Sequence, residues 1–124
     1  MPNKLPSGTG NVGRSLRFRE SVSLLLRAEG ISNSVAPMHR TLAASFDPSN
    51  PASDILGIPR FSILTRCEVQ RDLSGGTNAA IRAATDDGNE FGIAIWDRHL
   101  TPASDAYVVM KLDQFAKLIR AVQS

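Results

Sequence analysis

Between Arg60 and Val122 the hydrophobic period changes repeatedly, and that succession constrains the fold more than any other feature of the sequence. Residues 60 to 70 alternate, with Phe61, Ile63, Thr65, Cys67 and Val69 on one face and Ser62, Leu64, Arg66, Glu68 and Gln70 on the other, which predicts a strand. Leu73, Thr77, Ala80, Ile81 and Ala84 then recur at helical spacing. Gly75 and Gly76 weaken the first turn of that helix, and Asp86-Asp87-Gly88-Asn89 ends it with turn chemistry. Phe91 to Trp96 is a nearly continuous apolar run, expected of a strand covered on both faces, with Trp96 packing at its end. Ala106 to Met110 reads as another apolar strand. Asp113 can cap a last helix whose apolar stripe is Phe115, Leu118, Ile119 and Val122. A strand-helix-strand-strand-helix module around a sheet follows.

Upstream the signals are sparser. Residues 1 to 13 combine Pro and Gly with few apolar groups and are expected to form a flexible tail. Phe18, Val22, Leu25 and Leu26 predict a helix over 15–29, stopped by Gly30. The stretch 31–59, punctuated by four prolines, is expected to be irregular, with extended pieces near 32–36 and 53–58. The order is then αβββαββα-like: a mixed α/β (α+β) domain with a central mixed sheet flanked by helices. With 124 residues, 42% of them apolar, a split would leave two pieces too small to bury a core, so residues 14–124 are read as one domain.

A lone cysteine, Cys67, cannot pair within the chain, which favours a reducing compartment. No apolar run is long enough to span a bilayer and the start lacks the apolar core of a signal peptide, so a cytoplasmic site is expected and no membrane partner. The net charge is only +2, but residues 1–40 carry six Lys/Arg against two acids. That surplus suits either a phosphate backbone or a solvated helix face.

Two histidines and one cysteine give no zinc motif, and there is no P-loop, no dinucleotide fingerprint and no nucleophile elbow. What remains is carboxylates. Asp54 stands at the start of a short extended piece, and a charged strand follows it. Phosphodiester hydrolysis needs carboxylates converging on Mg²⁺ beside a cation, because metal and cation stabilise the charge that develops on the phosphate. The plainer reading has Asp54 capping a turn and Glu68 pairing with Arg66 or Arg71.

Several motifs occur in a telling order: Phe18 with Leu26-Arg27-Ala28-Glu29-Gly30, Asp54-Ile55-Leu56-Gly57, Asp72-Leu73, Phe91-Gly92-Ile93-Ala94-Ile95, and Tyr107-Val108-Val109-Met110-Lys111-Leu112 with Phe115 and Leu118-Ile119. In this the chain resembles the phage-type, Holliday junction resolvase-like branch of the PD-(D/E)XK nucleases over roughly residues 13 to 122. The resemblance implies a restriction-endonuclease-like fold, a Mg²⁺-dependent endonuclease acting on branched or duplex DNA, and a homodimer. If Asp72-Leu73 fixes the alignment, the family's E-x-K falls on Leu64-Thr65-Arg66 and the first-helix glutamate on Arg19, leaving only Asp54. If the register slips, Asp54, Glu68 and Glu20 are the metal ligands, with Gln70 or Arg66 near the attacking water. In the first register no cofactor is held, and the chain is a non-catalytic DNA-binding or protein-binding module, such as a phage accessory or inhibitor protein. In both, Arg14, Arg17, Arg19 and Arg66, joined by Arg40 and His39, are candidates for phosphate contacts.

Overall fold

The structure, a computed structural model, describes residues 7–37 and 52–123, with side chains from residue 13 onward. Among these residues the order is α1 (Ser7–Ala28), β1 (Ser34–Val35), β2 (Ile55–Leu56), β3 (Phe61–Arg66), α2 (Leu73–Asp87), β4 (Phe91–Trp96), a 3₁₀ turn (Ala103–Asp105), β5 (Tyr107–Val109) and α3 (Leu112–Gln123). The strands form one five-stranded mixed sheet in the order β1-β2-β3-β4-β5. Every neighbouring pair is antiparallel except β3 and β4, which run parallel with α2 as their crossover. The fold is therefore mixed α/β, a sheet flanked by helices, as the sequence pattern implies.

The two faces of the sheet carry separate cores, because successive strand residues point to opposite sides. Ile63, Ile93 and Ile95 pack with Ile55 against Phe18 and Val22 of α1. On the other side Ala94 and Trp96 pack with Ala80 of α2, and Leu64 and Val109 border them. All six residues of β4 are buried, since this strand has a neighbour on each edge and a helix on each face.

Helix signals and helix ends agree closely for α2. The Asp72 carboxylate accepts a hydrogen bond from the Gly75 N–H, and Gly88 closes the helix in the left-handed region at φ 73°. By contrast α1 begins at Ser7, well before the expected start, so the described part of the presumed tail, residues 7–13, is helical. Once docked through Phe18 and Val22, a helix extends for one hydrogen bond per residue ordered, which outweighs the poor propensity of Gly8, Gly10 and Gly13. Expected strand 60–70 stops at Arg66, opposite Trp96, where β4 ends and the ladder has no further partner. Asp113 lies inside the first turn of α3 rather than capping it.

α3 reaches the sheet through a polar side chain. β5 pairs with β4 only from Ala94 to Trp96, and the buried Gly92 N–H beyond that ladder donates to Oε1 of Gln114 at 2.8 Å. Replacing Gln114 by alanine leaves that N–H without an acceptor, so a urea titration is expected to show a loss of about 1–3 kcal/mol. No helix among the described residues is long and apolar enough to cross a membrane.

Candidate functional site

Asp54 sits where three elements meet. Its own N–H donates to the Ile63 carbonyl at 2.8 Å, and its carbonyl accepts from the Ala36 N–H at 2.8 Å, so its backbone is fixed between the β1 and β3 sides of β2. Its carboxylate is fixed as firmly. Oδ2 accepts from the Thr65 N–H at 2.7 Å and from the Thr65 hydroxyl at 3.1 Å. Oδ1 meets Nη2 of Arg19 at 2.8 Å, while Nη1 of Arg19 donates to the Ala36 carbonyl at 2.9 Å. Only 11% of the Arg19 side chain and 19% of the Asp54 side chain are exposed, so the pair is far more sheltered than a surface salt bridge. Five residues earlier in α1, Arg14 is also turned inward, donating from Nη2 to the Cys67 carbonyl at 3.0 Å.

The remaining candidate ligands are not gathered around Asp54. Glu68 lies beyond the end of β3, exposed, and its two carboxylate oxygens accept from Nε of Arg66 at 3.0 and 3.2 Å. Gln70 is exposed in the same loop, so Glu68 and Gln70 do not share a strand face as the E-x-Q register requires. Glu20 follows Arg19 in α1 and is rotated about 100° from it, exposed in a groove with Ser23, Leu24, Arg27 and Val35. Arg17 is exposed on α1, and Arg40 and His39 lie outside the described residues.

This geometry bears directly on Mg²⁺. An octahedral hard cation needs several free anionic or neutral oxygens. Asp54 offers a carboxylate whose two oxygens are both engaged, beside a fixed positive charge, and the other candidate ligands, Glu20 and Glu68, stand elsewhere. Among the described residues no group of three His, Cys, Asp or Glu side chains is placed to hold a metal ion. Among the described residues, those around Asp54 do not fit the dication that the resemblance implies.

A second polar cluster lies at the carboxyl ends of the parallel strands. Arg66, Trp96 and Tyr107 are direct partners across β3, β4 and β5 and so form one row on the α2 face of the sheet. The Arg66 guanidinium lies 5.7 Å from the centre of the Trp96 ring, and those of Arg71 and Arg98 lie 5.1 and 5.0 Å from the centre of Tyr107. Trp96 is fully buried and Tyr107 is 45% exposed, so the row runs outward from the core to solvent. The sequence reading gave Arg98 no role, Arg71 only a possible pairing with Glu68, and Tyr107 only a place in a strand motif. Their signal was positional: both arginines closely follow the ends of adjacent parallel strands, the end of an α/β sheet where loops gather.

On the α1 face of the same end, burial pushes the Cys67 thiol up, and the nearby Asp97 and Glu68 charges act in the same direction. A hydrogen bond with Ser15 and the Arg14 charge work the other way without overcoming it. These surroundings favour the neutral thiol over the thiolate. Comparison with family models, with curated proteins and with solved structures finds no match to this chain, so its residues alone carry any functional reading.

Proposed function

We propose that this chain is a nucleic-acid-binding module on a restriction-endonuclease-like sheet, in which Arg19 supplies the positive charge that a metal ion supplies in a PD-(D/E)XK nuclease. It holds DNA without cutting it. The observation that carries this reading is the Arg19–Asp54 pair at 2.8 Å. A guanidinium neutralises the aspartate, takes up its oxygen and excludes a dication from that position, because two like charges there repel strongly in a sheltered site.

The test mixes the purified chain with a labelled four-way junction and with linear duplex, in EDTA, in Mg²⁺ and in Mn²⁺. The expected result is binding that persists in EDTA, weakens steeply with salt and leaves the DNA intact at large protein excess. Metal-dependent cleavage that disappears in Asp54→Ala would overturn it.

One observation favours a second reading, a protein-binding module on the same fold. Val108, Leu112, Phe115, Ile119 and Val122 are exposed along β5 and α3, so the apolar stripe of the last helix is left largely uncovered. A second copy of the chain or another protein would bury it. Absence of DNA affinity at low salt, with concentration-dependent association in sedimentation, is the outcome that selects this reading.

A further inference from the structure

Several arginines among the described residues are held by ion pairs or by bonds to main-chain carbonyls. Arg14 and Arg27 donate to main-chain carbonyls, Arg19 does so and pairs with Asp54, Arg60 pairs with Glu90, and Arg66 pairs with Glu68. Arg71 and Arg98 are different. They come from separate loops, the first before α2 and the second after β4, and converge on a single ring. The two charges are therefore no more than about 10 Å apart, near the screening length of roughly 8 Å at physiological ionic strength. Each is attracted to the Tyr107 ring, yet they repel one another, and an anion that contacted both would relieve that repulsion.

Among the described residues neither arginine is ion-paired with an acid. Glu68 is bound to Arg66, and Asp72 caps α2 through the Gly75 N–H. Asp97 follows Trp96 in the chain and so points to the opposite face, towards Cys67. Arg71 donates only one long hydrogen bond, 3.3 Å to the Asp97 carbonyl, and among the described residues no hydrogen bond from the Arg98 guanidinium is found. A guanidinium stacked on an aromatic ring keeps its N–H edge free and pre-oriented, which suits bidentate contact with a phosphate.

Resting on the nucleic-acid reading above, we propose that Arg71 and Arg98, held on Tyr107, form the phosphate-backbone contact of this protein. The ligand is a phosphodiester strand lying across the carboxyl ends of β3 and β4. Tyr107 orients the two cations and presents its open edge to the sugar-phosphate chain. The contact fixes register on nucleic acid and carries no base preference.

The experiment measures affinity for a labelled duplex as a function of salt, with thermal melting of each variant alongside. Arg71→Gln with Arg98→Gln is expected to melt like the parent, to bind about tenfold or more weakly, and to reduce the slope of log K against log salt by about two. Arg71→Lys with Arg98→Lys keeps both charges and is expected to restore the slope while recovering only part of the affinity, a split that a structural role would not produce. Arg82→Gln, on the exposed side of α2, is expected to change neither quantity. If the parent binds DNA and the double glutamine variant binds as tightly with the same slope, the contact is elsewhere and the proposal falls alone. A parent with no DNA affinity removes the proposal together with the reading it rests on.

Discussion

Arg19→Ala is expected to lower the unfolding free energy by about 3 kcal/mol, against little change for Arg17→Ala one turn-fraction away on the same helix. Arg17 is exposed, whereas Arg19 ties α1 to the Ala36 carbonyl and to a carboxylate that is itself only 19% exposed. Without the guanidinium, Asp54 keeps its Thr65 donors but loses its counter-charge, and a buried charge missing one partner costs more than the pair contributed. Arg19→Glu brings a second carboxylate to the same pocket and is expected to be less stable than the alanine variant in EDTA. If Arg19 stands where a cation belongs, millimolar Mg²⁺ or Mn²⁺ should recover part of the loss in the glutamate variant alone. A metal ion at ten times its Kd contributes about 1.4 kcal/mol. Chemical denaturation with and without metal reads both effects, and equal midpoints with and without metal in Arg19→Glu would refute the cation-replacement idea.

This pair also marks how far the sequence could be read. The alignment that put Arg19 in place of a glutamate and Leu64 in place of a metal ligand rested on Asp72-Leu73, and Asp72 is the residue that caps α2. Motifs made of local chemistry, such as the turn at Gly88 and the continuous apolar run of β4, were legible because their causes lie within a few residues, whereas Asp72 was read as part of a motif and not as a cap. Limits set by partners were not. β3 stops at Arg66 because β4 stops at Trp96, a fact about a strand twenty-five to thirty residues away, and the alternation of residues 67–70 carries no trace of it. α1 runs back to Ser7 because its later turns are docked, although its glycines read as a tail. The stripe of α3 has the period of a buried face and is nevertheless largely exposed, since periodicity reports that a face is apolar and not what covers it.

The candidate site followed the same division. Asp54 was recoverable from its place before a short strand, but its partner Thr65 was hidden, because a main-chain N–H has no sequence signature and the threonine was read simply as a strand residue. The Arg71 and Arg98 convergence depends on two loops meeting at one ring, a long-range arrangement that neither loop encodes alone.

Gly92→Ala is expected to be among the most disruptive single substitutions in the chain, and Gly76→Ala to follow it, because both glycines let α2 lie unusually close to β4. A methyl group on Gly92 would come within 2.3 Å of the Ala80 carbonyl oxygen and 2.7 Å of the Ile81 nitrogen, both backbone atoms of α2 that cannot rotate away. On Gly76 it would come within 2.1 Å of Cη2 of Trp96, the far edge of a fully buried ring with no free space to enter. Each is overpacking that only a shift of the helix relieves, at about 3 kcal/mol, towards the upper end of such substitutions. The glycines that weaken the first turn of α2 by helix propensity are thus required, at Gly76, by packing. Because a single displacement of α2 relieves both clashes, the double variant is expected to lose less stability than the two single losses combined, with a coupling of about 1 kcal/mol or more. Urea denaturation of the four proteins measures that coupling, and the emission of Trp96, the only tryptophan, reports the shift directly. Strict additivity would mean that the two contacts move independently and that α2 does not pack on β4 as one rigid body.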